Sequence, residues 1–346
     1  MNGTLIQSSL IHKASASMKK DTAAWIVIAV TILTAIALGV FAGATQLANT
    51  IVLGGMWALM GVGLALVFGV MNVSNFAHGE AFMVGSYVAY FVFGPVQKAF
   101  EGTHLAAIAP VPGLLICILA GVVLGVIIEK LLIHPLRVRT KQGWVMNAFL
   151  LTAGISLIMS NGARLLLGTK FRGVTTYWDL PSINALGVRL PSDRAAAFIL
   201  ALVAIASLWF FLQRTDTGRA IRAVSQDEAG ARMVGVRVKW IYTLTFALST
   251  ALATLAGASL LFMFPAFPTV GLRPLYVSWY ILMLVGLGNV GGSIAGGFIV
   301  AVLQTATQYF LGSVWEDVVP LIAMILVLLL APSGIFGSEV KGIHEQ

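Results

Sequence analysis

Charge is what this sequence has least of: Asp, Glu, Lys and Arg make up 10% of its 346 residues, against about 25% in a soluble globular domain. An ordinary water-soluble domain is thereby excluded. There is one cysteine, Cys117, inside an apolar run, so no internal disulfide and no cysteine-built metal site can form, and packing is its expected role. No GxxxxGK[ST] phosphate loop occurs, which excludes ATP hydrolysis by that route, and no HExxH spacing offers a zinc site. Neither a metal nor a cofactor is expected.

What is abundant is apolar surface. The chain is 59% hydrophobic with a mean hydropathy of +0.94. Its apolar runs have the length of a helix crossing about 30 Å of hydrocarbon, and they lack the alternation of a barrel strand. The fold class read from this is an all-α polytopic membrane protein with about ten transmembrane helices. The formal charge of +8 sits in short loops between apolar runs, where it fixes orientation in the membrane. Membrane lipid is therefore the expected surroundings, and nucleic acid is not an expected partner.

In chain order, residues 1–22 read as a cytoplasmic tail, with Lys13, Lys19 and Lys20 ahead of the first run. That run, Ala23 to Phe41, ends in Ala42, Gly43 and Ala44 and so resembles a signal-peptidase site, but it exceeds the roughly 7–15 residues of a signal core. A retained helix is expected. Further spans are expected at Ile51–Val70, Ala81–Val96, Ile108–Ile128, Met146–Leu167, Ala195–Leu212 and Ile241–Phe264, with two membrane helices flanking a break between Tyr276 and Leu311 and a last span at Val318–Leu330. Residues 23–337 form one transmembrane domain, followed by a cytoplasmic tail at 338–346. Lys130, Arg137, Arg139 and Lys141 place the loop after the fourth span inside, and parity places both termini there too.

One stretch departs from this economy of charge. Arg214 to Lys239 carries Arg214, Arg219, Arg222, Arg232, Arg237 and Lys239 against Asp216, Asp227 and Glu228. Gly218 to Val224 and Glu228 to Val234 read as two short amphipathic helices separated by Ser225, Gln226 and Asp227, with Asp227 or Ser225 placed to cap the second. Such a segment can lie on a membrane surface, dock into a partner, or serve as a solvated loop that only fixes topology.

Two interruptions stand out within the apolar runs. MNVSNFAHGE, Met71 to Glu80, clusters Asn72, Ser74, Asn75, His78 and Glu80 between two apolar helices, and an unsatisfied polar group at that depth costs several kcal/mol. His78 and Glu80 are two apart and do not share a helix face, so metal binding is poorly supported. Hydrogen bonds to freed backbone are the favoured role for Asn72, Asn75, His78 and Glu80, ahead of direct substrate contact. The second interruption, VGLGNVGGSIAGG from Val285 to Gly297, centres on Gly288, Asn289 and Gly292, since each glycine costs a helix about 1 kcal/mol against alanine. Paired interruptions in two halves of a chain point to a transport pathway at the midplane, although glycines also let helices pack closely. Thr152, Ser156 and Asn161 in the fifth span are expected to make interhelical bonds.

Three classes of function meet these residues. An ion-coupled, stand-alone secondary transporter would need acidic residues deep in several spans, whereas Glu80 and Glu129 lie near span ends. A membrane enzyme using His78 and Glu80 would need more titratable groups converging on one site. A permease energised by a separate motor needs neither.

Four spaced blocks carry a resemblance that favours the third class. FGVMNVSNFAHGEAFMVGSYVAY (Phe68 to Tyr90), TDTGRAIRAVSQDEAGARMVGV (Thr215 to Val236), VGLGNVGGSIAGG and APSGIFG (Ala331 to Gly337) resemble, in the same order, the signatures of the branched-chain amino-acid permease family of ABC importers, more narrowly its H-type subunit. The resemblance implies a bacterial inner-membrane permease without covalent chemistry of its own. Its implied partners are a second, M-type permease, two cytoplasmic ABC ATPase subunits and a periplasmic substrate-binding protein. The implied solute is a branched-chain amino acid, although relatives carry urea, other amino acids, amides and organic acids. The charged stretch then corresponds to the segment that docks in an ATPase groove, with Arg222, Asp227, Glu228, Ala229, Ala231 and Gly235 as the implied coupling residues. Where importers of this kind have Glu-Ala-Ala followed after three residues by Gly, this chain has Ala229, Gly230 and Ala231 before Gly235, with Glu228 one place early.

Overall fold

The computed structural model describes residues 22, 24–101, 108–140, 143–174, 178, 180–185 and 188–337. The tails expected at 1–22 and 338–346 fall outside the described residues, apart from Thr22, as does Lys141. The helices are α1 (Ala24–Phe41), α2 (Ala44–Met71), α3 (His78–Phe100), α4 (Pro110–Arg139), α5 (Trp144–Leu167), α6 (Ser192–Arg214), α7 (Asp216–Gln226), α8 (Glu228–Met233), α9 (Val238–Ser259), α10 (Leu272–Val285), α11 (Val290–Leu311) and α12 (Val318–Leu330). Among the described residues eight helical segments are long and apolar enough to cross a membrane, counting Ser313–Leu330 as one. With α3 and the 14-residue α10 they give the ten helices expected. The described residues contain one two-stranded antiparallel hairpin, β1 (Ile183–Ala185) with β2 (Val188–Leu190), in register Asn184 to Arg189.

The bundle is built around α2 and α9, which are buried along most of their length, whereas α1, α5 and α12 present Leu33, Ile158, Leu165, Leu166 and Leu329 outward. With lipid as apolar as any core, helices associate where small residues let backbones approach. Gly121 and Gly125, one turn apart on α4, lie on Thr250, Ala251 and Thr254 of α9, and a methyl group at either glycine would collide with a threonine hydroxyl. The Thr250 hydroxyl donates to the Gly121 carbonyl at 2.8 Å. On the other side Gly297 of α11 meets the Ala58 backbone of α2, and Gly54 of α2 meets Phe298. A polar chain crosses the same interface: Trp57 Nε1 donates to Gln304 Oε1 and Gln304 Nε2 to Asp317 Oδ1, each at 2.7 Å, and Arg273 pairs with Glu316 and Asp317.

Three departures from expectation bear on the site. The second span starts seven residues earlier, at Ala44. The seventh stops at Ser259, and residues 260–271 are unwound, because Pro265 and Pro268 cannot donate to a helix ladder; the apolar Leu260–Phe264 had made this stretch read as membrane helix. Arg172 from the segment after α5 closes on it, with two backbone bonds to Ala266 at 3.0 and 2.7 Å. Finally, α4 is not a regular helix: Glu129–Ile133 form a π turn.

Candidate functional site

The first interruption is a true break. Asn72 ends α2 in the left-handed conformation at φ 53°, which asparagine tolerates better than most residues. Its N–H still reaches the Phe68 carbonyl at 2.8 Å. Helix α3 begins at His78, and His78 Nε2 donates to the Met60 carbonyl at 3.1 Å while Ser249 Oγ of α9 lies 3.4 Å from Nδ1. Met60 stands eleven residues before the end of α2, about 16 Å along the axis at 1.5 Å per residue. Residues 72–77 therefore climb back along α2, and α3 starts deep inside the bundle. Gly271, just before α10, packs backbone to backbone against Gly79, so the two helices that follow unwound stretches begin side by side.

Backbone freed by the break is satisfied as an apolar interior requires. Asn75, fully buried, accepts from the Ala77 N–H at 3.1 Å. The Thr152 hydroxyl of α5 accepts from the Phe76 N–H at 3.2 Å and lies 3.1 Å from the Ser74 carbonyl. Glu80 receives the Ser156 hydroxyl at 2.8 Å. His78 thus binds α2 and α9, Glu80 binds α5, and Asn75 binds its own loop; Asn72 is exposed. They do not converge on one point, and no group of three metal-ligating side chains occurs among the described residues.

In the second interruption only residues 286–289 are unwound, with Gly286 and Gly288 at φ 110° and 77°. Asn289 caps α11, its Oδ1 accepting from the Gly292 N–H at 2.8 Å. Gly292 therefore lies in the first helical turn, and the glycines beyond it serve packing. Asn289 also donates through Nδ2 to the Phe336 carbonyl at 2.9 Å. The closing Ala331–Gly337 segment folds back here: the N–H groups of Ile335 and Phe336 reach the Leu284 and Val285 carbonyls at 3.0 and 2.9 Å, satisfying acceptors that the end of α10 leaves open. Sequence reading had not assigned that segment a structural task.

The charged stretch forms α7 and α8. Thr215 caps α7, accepting from the Gly218 N–H at 3.0 Å, and Asp227 caps α8, accepting from the Ala229 N–H at 3.0 Å. Gly235 ends the pair at φ 86°: its N–H bonds the Arg232 carbonyl and that of Val236 bonds Ala231, both at 3.0 Å, a Schellman closure that glycine permits without strain. Glu228 pairs with Arg232 and accepts from the Tyr242 hydroxyl of α9 at 2.8 Å. Arg222 bonds Gln213 of α6. Of the sequence candidates, Ala231 is buried against the bundle, while Asp227, Ala229 and Gly235 are exposed. Two residues that sequence reading passed over dominate the free face: Met233 and Val234 are 89% and 79% exposed. The signal was there, since two apolar side chains at a charged helix end have no core to enter.

Replacing Gly235 by leucine should cost about 1–2 kcal/mol through its left-handed backbone and unfasten α8 from α9. Proteolysis of the full chain in detergent is expected to cut faster within residues 228–239 than in wild type, with the rest of the bundle unaffected.

The family model described as branched-chain amino acid transport system, permease component, matches residues 46–328. Similar proteins include the high-affinity branched-chain amino acid transport system permease LivH of Salmonella typhimurium, 28% identical over 84% of this chain and 94% of that protein. The corresponding permease BraD of Pseudomonas aeruginosa is 28% identical over 84% and 95%. A probable LivH of Methanocaldococcus jannaschii is 28% identical over 85% and 93%. No solved structure matches the chain.

Proposed function

Because the chain belongs to the permease-component family of branched-chain amino acid transport systems, we propose that it forms one half of the pathway of a bacterial inner-membrane ABC importer, beside a second, M-type permease. Two separate ATPase subunits supply the energy and a periplasmic binding protein delivers the solute. That solute is a branched-chain amino acid or a related small polar molecule. The observation that carries the reading is the α7–α8 hairpin. It is capped at both starts and closed at Gly235, it is bonded to α9 through Glu228 and Tyr242, and it presents Met233 and Val234 outward. A rigid charged hairpin with an apolar tip suits docking in an ATPase groove, and the Glu228–Tyr242 bond can pass a displacement of the hairpin into α9. Helix α9 in turn touches the α2–α3 break through Ser249 and His78.

The second permease is assigned to α5. Asn147, Gly154 and Asn161 recur every seven residues on this helix; both asparagines are exposed, and Gly154 has open space beside it. Polar amides directed at hydrocarbon are costly, and such residues face a partner or a watery path. Family membership also favours the importer over a stand-alone ion-coupled transporter, and the three buried carboxylates among the described residues are each engaged, Glu80 by the Ser156 hydroxyl, Glu129 by the Thr243 hydroxyl at 2.6 Å and Asp193 by the Trp178 N–H at 2.6 Å.

Purification of the complex from mild detergent tests the proposal: ATPase subunits should co-purify, whereas solute uptake by this chain alone in liposomes with an ion gradient would overturn it. Cysteines placed at 140 and 226 should react only with reagents added from the cytoplasmic side. Labelling from outside would reverse the proposed orientation.

A further inference from the structure

A cavity of about 380 Å³ opens where α4, α5, α8 and α9 meet, lined by Arg137, Thr140, Trp144, Glu228, Arg232 and Lys239 together with Val138. Three cations from three different helices face it, against one carboxylate. Glu228 is already committed to Arg232 and the Tyr242 hydroxyl. Arg137 stacks over the Tyr242 ring, 4.1 Å from its centroid, and its buried Nη1 has no hydrogen-bond acceptor among the described residues. The π turn at Glu129–Ile133 lies one turn before Arg137 on α4.

The excess of positive charge favours an anion, and the arrangement discriminates among anions. A planar carboxylate is saturated by one guanidinium in a bidentate pair, whereas a phosphate has oxygens enough for several donors arriving from different directions. The rim says where the phosphate comes from. Trp144 lines the cavity and Trp240, beside Lys239, is exposed, and tryptophans of this kind settle at the level of lipid headgroups. From the cavity, exposed apolar residues lead away along α4 and α5: Leu131, Val138 and Met146. Basic pockets between transmembrane helices on the cytoplasmic side hold anionic headgroups for this physical reason.

We propose that this cavity binds the phosphate headgroup of an anionic membrane phospholipid, with the acyl chains lying along α4 and α5, and that the bound lipid fastens the α7–α8 hairpin to the α4–α5 connection. The lipid site itself does not depend on the importer reading; only its effect on ATP hydrolysis does.

The full chain, purified in mild detergent, should retain phosphatidylglycerol or cardiolipin in native mass spectrometry. At about 1 kcal/mol for each basic residue near an anionic surface, affinity is expected to fall about fivefold in Arg137→Gln or Lys239→Gln and about 25-fold in the double variant. Arg139→Gln, exposed and outside the cavity lining, should match wild type. Equal retention by the double variant and by Arg139→Gln overturns the proposal. Should the double variant fail to fold, as judged by thermal unfolding, the same titration with Lys239→Gln alone decides. In the assembled importer, phosphatidylglycerol added to phosphatidylcholine nanodiscs should raise solute-stimulated ATP hydrolysis for wild type and not for the double variant. If inorganic phosphate in pure phosphatidylcholine reproduces that rise, the ligand is a soluble anion and the lipid assignment falls. If the double variant loses ATPase subunits equally in both lipids, the cavity receives a side chain of the motor, and the assignment falls as well.

Discussion

An importer carrying Met233→Asp and Val234→Asp should lose solute-stimulated ATP hydrolysis almost entirely, while the permease itself remains folded. Both side chains are directed away from the bundle, so neither change opens a cavity or buries a charge in the isolated chain, and exposed substitutions of this kind shift stability by no more than about 0.5 kcal/mol. In the proposed docked complex the same positions would be the apolar centre of an interface, where a well-packed anchor is worth about 2 kcal/mol or more. An unpaired carboxylate adds its desolvation. A loss of at least about 30-fold in affinity for the ATPase subunits is expected at 2 kcal/mol, read as subunit recovery on purification and as the rate of ATP hydrolysis. Asp216→Asn provides the control, since this residue is almost fully exposed and its ion pair is with Arg219, three residues on in the same helix. Wild-type activity in the double aspartate variant would mean that the hairpin does not dock through this tip.

Leucine at both Gly121 and Gly125 should separate α4 from α9 and strongly destabilise the chain. The added side chains have nowhere to go: the obstructing atoms include the α9 backbone at Ala247, Thr250 and Ala251, which cannot swing aside as a flexible side chain can. Overpacking costs about 1–3 kcal/mol per site, and the bond from Thr250 to the Gly121 carbonyl would be lost with it. A fall in the thermal aggregation midpoint of the purified chain is the expected readout. Gly154→Leu supplies the contrast. With no atom within 4 Å of an added methyl, it should leave the isolated chain as stable as wild type and yet lower the yield of complexes containing the second permease. A destabilised Gly154→Leu, or an undisturbed double leucine variant, would contradict the packing described.

Much of this was legible from residue order because a bilayer simplifies the rules. Length and apolarity alone placed nearly every span, and Val318–Leu330 was read with its observed limits. The hairpin was legible through local chemistry, as Asp227 caps and Gly235 closes by interactions within a few residues. Less legible were features decided by distant partners. The glycines from Gly286 to Gly297 look alike in sequence, yet Gly286 and Gly288 unwind the chain while Gly296 and Gly297 lie against Ile281 and Ala58, a division that depends on what lies opposite. The unwound residues 260–271 were hidden by their own hydrophobicity, although Pro265 and Pro268 marked them. Thr152 and Ser156 read as makers of ordinary interhelical bonds, and only the fold shows that both attend the α2–α3 break. The residues proposed for coupling divide similarly: Ala231 packs within its own chain, whereas Asp227, Ala229 and Gly235 are exposed.

The π turn at Glu129–Ile133 acts as a phase shifter. Each residue of an α-helix turns the chain by about 100°, so one residue accommodated in a wider turn rotates everything downstream relative to everything upstream. The α4 residues before it keep Gly121 and Gly125 aimed at α9, and those after it bring Arg137 over Tyr242 instead of leaving its guanidinium among acyl chains. Removing a single residue between 129 and 133 would restore an even spiral and swing the positive end of the helix out of alignment.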